Sequence, residues 1–297
     1  MKINPFSIIR FNFVMIFIPF LSKLREPLSR KFVLILLIAG LIPNLKAAFE
    51  KKDVGAVSIA LGNATVAIDT FKTALYQNPA CLSGNKFCRL MFSYQNYYGL
   101  ADINEIDISV EWQLFQHPIA FAFNRFGNHI YQEVQFTTGS FIKIFDSFKI
   151  GLSGQLYSLS ISGYGQSVSW GCNLAFLYYF TNSLSVGALV TNINGPVIGT
   201  GREKLPQTMS VGICYLSGEN STVSFEVFRD IQFEPEYRAG FSYQLMTAFI
   251  LRGGMEDRLQ SYACGFGLNY SWFEFDYAIK IHQILGVSHI ISLSLCL

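Results

Sequence analysis

The stretch Asn104–Leu114, NEIDISVEWQL, alternates between apolar and polar residues over its whole length. Ile106, Ile108, Val110, Trp112 and Leu114 fall on one face of an extended chain, and the residues between them are acidic or polar. Successive side chains of a strand point to opposite faces, so this period of two predicts a β-strand with one apolar face.

The same alternation recurs from this strand to the end of the chain. The clear repeats are Phe148–Leu156, Val168–Tyr178, Met209–Tyr215, Tyr262–Tyr270, Phe273–Ile281 and Ile291–Leu297. Weaker segments of the same type lie near Leu90, Phe121, Phe136, Val186, Phe225, Phe241 and Phe249. Together they predict about 14 strands, an even number as is usual for bacterial membrane barrels.

The connections between these segments alternate in length. Short ones follow the even-numbered strands, for example Phe145–Ser147 and Ser271–Trp272, and longer ones follow the odd-numbered strands, for example Asn194–Pro206. Short turns on one rim and long loops on the other are typical of outer-membrane barrels.

Composition supports a membrane barrel. Charged residues make up 14% of the 297 residues, against about 25% in ordinary soluble domains, and the mean hydropathy is +0.33. After Pro43, no apolar run approaches the roughly 20 residues of a spanning helix. We therefore predict an all-β fold, an antiparallel transmembrane β-barrel of about 14 strands with a short helical N-terminal plug. The alternative is a secreted soluble β-sandwich or barrel with its apolar faces turned inward.

Residues 1–47 have the layout of a signal peptide. Basic residues precede the apolar run Phe32–Ile42, and small residues follow near Ala47. The earlier apolar segment Phe6–Leu21 is explained by translation starting at Met15, by a long leading region of the signal, or by an N-terminal membrane helix. The signal predicts a mature chain that begins near Ala48 and folds outside the cytoplasm.

Residues 48–85 are the predicted plug, and residues 86–297 are the predicted barrel. The stretch Gly55–Gly84 is rich in small residues and lacks the period of two. Asp69 or Thr70 can cap a helix over Phe71–Tyr76. Pro79 stops that helix at Asn78, which can cap a second short helix that ends at Gly84. The alternative is a cap that lies outside the lumen.

The predicted inward face carries charges of both signs. They are Glu105, Asp107, Glu111, Lys149, Glu226, Arg238, Arg252, Glu274, Asp276 and Lys280. We expect internal ion pairs that brace the wall or hold the plug, because buried charges require partners. The alternative is a polar path for a substrate.

Nothing in the sequence indicates catalysis or a cofactor. The six cysteines and four histidines show no metal-binding spacing, and no nucleophile elbow or phosphate-binding loop is present. Cys81 and Cys88 could form a disulfide in an oxidising compartment. A net charge of +2, without a basic patch, argues against nucleic-acid binding. We predict a non-enzymatic protein with no metal.

The plug sequence resembles that of a known family. The stretch Leu61–Leu82, LGNATVAIDTFKTALYQNPACL, with its motif Asn78-Pro79-Ala80, is similar to the N-terminal segment of the PorV/PorQ proteins of the type IX secretion system. Their superfamily includes the fatty-acid transporter FadL. Further similar stretches are Leu205–Thr208, Tyr237–Tyr243, Leu251–Gly254, Asp276–Ala278 and Leu285–Leu293.

This resemblance implies a plugged outer-membrane barrel in contact with membrane lipid. Its first functional implication is a role in protein secretion or surface attachment, with secreted cargo or secretion-machinery subunits as partners. The second is a FadL-like channel for a hydrophobic ligand. A purely structural barrel is the third alternative.

Overall fold

Fourteen antiparallel strands form a closed barrel in the computed structural model, which describes residues 48–49, 54–83, 88–100, 102–114, 117–257 and 260–297. The strands of the wall are β1 (Arg89–Asn96), β2 (Asn104–Leu114), β3 (His117–Gly127), β4 (Tyr131–Phe145), β5 (Phe148–Ile161), β6 (Gly165–Thr181), β7 (Leu184–Val190), β10 (Thr208–Ser217), β11 (Ser221–Asp230), β12 (Glu236–Met246), β13 (Phe249–Glu256), β14 (Ser261–Tyr270), β15 (Phe273–His282) and β16 (Gly286–Cys296). Two further strands, β8 (Val197–Ile198) and β9 (Glu203–Lys204), form a small hairpin between β7 and β10. The first and last wall strands pair, from Arg89 with Cys296 to Asn96 with His289. The predicted barrel is confirmed.

The two faces of the wall are oriented as predicted for a membrane barrel. On β2 the apolar residues Ile108 and Trp112 are 43% and 53% exposed, whereas Asp107 on the other face is buried. The pattern repeats around the barrel, with large apolar side chains outside and polar or small ones inside. The soluble alternative, in which the apolar faces turn inward, is therefore wrong. Among the described residues, no helix has the length and hydropathy needed to cross a bilayer.

The connections keep their alternation, but several of those that follow odd-numbered strands are only a few residues long. Strands β3 and β4 are separated only by residues 128–130, and β5 and β6 only by residues 162–164. The reason is that β4, β5 and β6 extend further than their apolar alternation, because ladder hydrogen bonds continue into polar sequence. The prediction of a long connection holds best for residues 191–207, between β7 and β10.

Residues 191–207, which we call the cover segment, replace a missing piece of the wall. Strand β6 pairs with β5 along its length, but with β7 only from Leu174 onward. Beside residues 170–172 of β6, where β7 does not pair with it, Asn194 takes the place of a neighbouring strand. Its side chain accepts from Cys172 N (3.1 Å) and donates to Trp170 O (3.0 Å). Within the cover segment Ile198 and Leu205 are buried in a cluster with Tyr157 and Leu159, so the segment turns inward.

The plug segment, residues 54–83, packs against inward-facing residues of the wall. It contains α1 (Ala56–Ala60), α2 (Ala74–Gln77) and a 3₁₀ turn, Pro79–Cys81. Together with the barrel it belongs to one compact unit, Ala48–Leu297. The predicted alternative of a cap outside the lumen is wrong for residues 54–83. The predicted signal peptide, residues 1–47, lies outside the described residues, as does Gly84.

The predicted helix boundaries in the plug are partly wrong. Helix α2 begins only at Ala74, after Thr73, and neither Asp69 nor Thr70 caps it. Thr70 has a left-handed backbone (φ +52°), and Asp69 instead bonds the wall, so tertiary contacts override the local capping preference. Asn78 does cap the turn that begins at Pro79, as predicted, but that turn ends at Cys81.

Glycines on the inward face let the plug backbone approach the wall. A Cβ added to Gly254 would lie 2.1 Å from Gly62 N, and one added to Gly187 would lie 2.0 Å from Val66 O. At Gly151 the corresponding distance to Ala80 N is 2.3 Å. Because backbone atoms cannot move aside as a flexible side chain would, these positions require glycine.

We predict that Gly254→Ala loosens the plug and that the neighbouring Gly253→Ala does not. The new methyl group at position 254 overlaps the backbone of the plug, and overpacking of this kind costs about 1–3 kcal/mol. A Cβ at position 253 meets nothing within 4 Å. Limited proteolysis of the plug in the folded barrel should be faster for Gly254→Ala alone. Equal cleavage of both variants would contradict the close contact.

Candidate functional site

The Asn78-Pro79-Ala80 motif anchors the plug to the wall. Asn78 is completely buried, and its Oδ1 accepts from Ala80 N (2.9 Å), which caps the 3₁₀ turn. Its Nδ2 donates to Val66 O within the plug (2.6 Å) and to Phe176 O on β6 (3.0 Å). One amide therefore fixes a turn, joins two parts of the plug and connects them to a wall strand.

Three wall glutamates accept hydrogen bonds from the plug. Glu226 Oε2 accepts from the backbone N–H groups of Thr65 and Val66, both at 3.0 Å. Glu111 accepts from Ser83 N, and Glu256 Oε1 accepts from Asn63 Nδ2 at 2.7 Å. These carboxylates accept from plug N–H groups that are not paired within a strand or a helix. A buried donor left unpaired would cost free energy of folding.

Two ion pairs of opposite polarity hold the middle of the plug. Lys72 Nζ lies 2.8 Å from Asp276 Oδ2 and 2.8 Å from Glu274 Oε2. Asp69 Oδ1 lies 2.8 Å from Lys149 Nζ. Because each partner on the plug has the opposite charge to its partner on the wall, the two pairs together define one orientation of the segment.

Pairs within the wall complete the network. Arg238 contacts Glu236 (2.5 Å) and Glu226 (3.5 Å). The other three pairs are Arg252–Asp276 (2.8 Å), Lys280–Glu256 (2.9 Å) and Arg89–Glu111 (3.4 Å). Glu111, Glu226, Glu256 and Asp276, which bind the plug, are thus each balanced by a cation of the wall.

The carboxylates of β2 also have partners. Glu105 accepts from Tyr97 Oη and Asn124 Nδ2, both at 2.5 Å. Tyr76 of the plug donates its hydroxyl proton to Asp107. Burial, and after it the charge of Asp107, raise the pKa of Tyr76 well above its ordinary value, so the phenol stays protonated.

All ten predicted lumen charges therefore have hydrogen-bonding or ionic partners. The residues are Glu105, Asp107, Glu111, Lys149, Glu226, Arg238, Arg252, Glu274, Asp276 and Lys280. They brace the wall and hold the plug. Glu236 and Glu256 were not among the predicted lumen charges, although each continues the inward phase of its strand, two residues from Arg238 and Gly254. It missed Asp69 and Lys72 as wall contacts.

The structure does not contain the disulfide considered between Cys81 and Cys88, because both are free thiols. Cys81 is buried in the plug and contacts Val66 O at 3.6 Å, whereas Cys88 N and O pair with Leu297. Burial raises the pKa of the Cys81 thiol well above its ordinary value. In the part of the chain that the structure describes, no group of three or more His, Cys, Asp or Glu could hold a metal ion.

A cavity of about 60 Å³ lies between the plug, the wall and the cover segment. Val54 and Tyr76 line it from the plug, Gln135, Gln155 and Tyr157 from β4 and β5, and Asn192 and Pro206 from the cover segment. The sequence interpretation did not identify these residues. Gln135, Gln155 and Tyr157 share the inward phase of their strands, which was the available signal.

Solved structures similar to this chain include two toluene transporters and a FadL homologue, all at low sequence identity. The "Pseudomonas putida toluene transporter TodX" matches with a TM-score of 0.61 and 13% identity, over 84% of this chain and 98% of that one. The "Ralstonia pickettii toluene transporter TbuX" has a TM-score of 0.58 and 12% identity, with the same coverage. A "Pseudomonas aeruginosa FadL homologue" has a TM-score of 0.55 and 9% identity, over 82% and 98% of the two chains.

These likenesses show a shared fold. No protein-family model matches the chain, and no curated protein matches it significantly. The FadL-like part of the predicted resemblance is supported at the level of the fold. The PorV/PorQ part, and with it type IX secretion, receives no support.

We predict that Asn78→Ala releases the plug from β6, whereas Asn96→Ala has little effect. The first change removes one amide that makes three buried hydrogen bonds, and each orphaned partner costs about 1–3 kcal/mol. Asn96 makes an exposed bond to Leu100 O in a loop. The readout is alkylation of Cys81 by a membrane-permeable maleimide, mapped by mass spectrometry. Slow labelling of Cys81 in both variants would contradict the anchoring role.

Proposed function

We propose that this protein is a non-enzymatic outer-membrane channel for small, mainly apolar molecules, with the plug segment as its closure. The observation that carries the proposal is a closed 14-stranded barrel with an apolar exterior and a lumen occupied by its own N-terminal segment. Proteins of similar fold include transporters of toluene. Export by the predicted signal peptide is part of the proposal.

The plug explains how such a channel would stay closed to polar solutes. Glu111, Glu226 and Glu256 hold it around the wall, and the cavity between the plug and the cover segment measures about 60 Å³. An apolar cavity known to bind benzene measures about 150 Å³. An aromatic molecule therefore passes only if part of the plug or the cover segment moves.

A role in secretion or surface attachment, which the PorV/PorQ resemblance implied, is not proposed further. Neither the contacts of the described residues nor the similar solved structures support such a role. No observation favours a purely structural barrel over a channel either.

We expect the protein to accelerate toluene uptake by cells whose outer membrane otherwise limits it. The measurement is the initial uptake rate of labelled toluene in cells that do or do not produce the barrel, with labelled sucrose as the polar control. The wild type should raise toluene uptake alone. Asn78→Ala, with its loosened plug, should also admit sucrose. Unchanged toluene uptake by correctly inserted wild-type protein would refute the channel.

A further inference from the structure

The cavity beside the plug contains an unused hydrogen-bond donor and an unused acceptor. Gln155 and Gln135 are each 8% exposed and both line the cavity. Gln155 Oε1 accepts from the Tyr157 hydroxyl, and Gln135 Nε2 donates to Thr137 Oγ1 at 3.1 Å. Among the described residues, Gln155 Nε2 and Gln135 Oε1 have no hydrogen-bond partner.

These two amides lie on neighbouring strands. In the ladder between β4 and β5, Thr137 is opposite Gln155 and Gln135 is opposite Tyr157. Gln135 and Gln155 are therefore diagonal neighbours on the inward face, within reach of one ligand atom for side chains of this length. A free N–H donor and a free carbonyl acceptor together match a hydroxyl group, which accepts one hydrogen bond and donates another.

The rest of the lining is mainly apolar. Phe49, Val54, Leu189 and Pro206 contribute hydrocarbon surface, and the ring of Tyr76 adds an aromatic one. A pure hydrocarbon in this cavity would leave Gln155 Nε2 and Gln135 Oε1 without partners. A site of this type discriminates against the analogue that lacks the hydroxyl.

We propose that this cavity is a binding site for small apolar molecules that carry one hydroxyl group, such as phenols or alcohols. The hydroxyl accepts from Gln155 Nε2 and donates to Gln135 Oε1, and the hydrocarbon body lies against the apolar lining. The inference rests on the proposed channel function and specifies the substrates that the channel favours.

The cover segment forms the roof of this site. At about 60 Å³ the cavity has room for about four waters, but it is much smaller than a cavity that holds an aromatic ring. Asn192 and Pro206 line the roof. The cover segment is tied to β6 by the side chain of Asn194 and by the backbone N–H groups of Asn192, Ile193 and Gly199. This is the part of the wall with the fewest ladder bonds, so binding of a ring opens the cavity there.

The test compares the binding of phenol and toluene to the full-length barrel in lipid nanodiscs, by ligand-observed NMR titration. The wild type should bind phenol about tenfold or more tightly than toluene, since two hydrogen bonds distinguish the ligands. Gln135→Leu and Gln155→Leu, similar in volume, should remove this preference. Gln95→Leu is the matched control, because Gln95 is also buried but does not line the cavity.

A disulfide should lock the roof. The Cys172 Sγ atom lies 3.7 Å from Asn194 Oδ1, so Asn194→Cys places two thiols together. Oxidation of this variant should abolish phenol binding, and a reductant should restore it. Unchanged binding after complete oxidation would overturn the roof assignment.

The outcomes separate this inference from the channel function. Equal affinity for phenol and toluene, unaffected by Gln135→Leu and Gln155→Leu, would overturn the hydroxyl site but leave toluene uptake intact. Phenol binding that depends on both glutamines, without uptake of any probe by cells, would support the site and refute the channel. If the wild type binds neither probe, the inference is wrong.

Discussion

A donor inside the barrel must find an acceptor there, and this requirement governs the rest of the structure. A wall of fourteen strands encloses more space than its own side chains fill, and the chain fills it with a segment that has little regular hydrogen bonding. The wall supplies what the segment lacks. Glu226 receives two consecutive plug N–H groups, and the cations beside each such glutamate stabilise its charge. The lumen charges are therefore part of the fold, and they cannot be removed singly without leaving a buried group unpaired.

The fold could be predicted from sequence because one physical rule generates it many times. Alternation of the kind seen at Ile106, Ile108 and Val110 specifies both a strand and its lipid-facing side, and each further repeat adds independent support. The turn at the Asn-Pro-Ala motif could also be predicted, since a proline that follows a capping residue favours the first position of a helical turn. The second role of the motif, donation from Asn78 to Phe176 O, could not be predicted, because nothing in the local sequence indicates which strand lies opposite.

The candidate site was less predictable than the wall for the same reason. Lys72 and Asp69 find partners on β15 and β5, far away in the chain, and only the register of the closed barrel brings them together. Glu256 was not predicted as a lumen charge because it is the last residue of β13, and no apolar residue follows it within the strand. The cavity depends on the difference in length between the long β6 and the short β7. This difference matters only once the two strands pair, so neither sequence segment predicts the cavity alone.

The pairing of β1 with β16 has a consequence for the order of assembly. The plug leads directly into the first strand, and Ala56 N donates to Ser292 Oγ on the last one (2.9 Å). The last strand of the barrel therefore supplies both the closing seam and a contact that positions the plug segment. Before that strand arrives, the N-terminal segment has only part of its lining. Pairing of β1 with β16 is the step that converts an open sheet, with a loosely held N-terminal segment, into a closed barrel in which that segment is fixed.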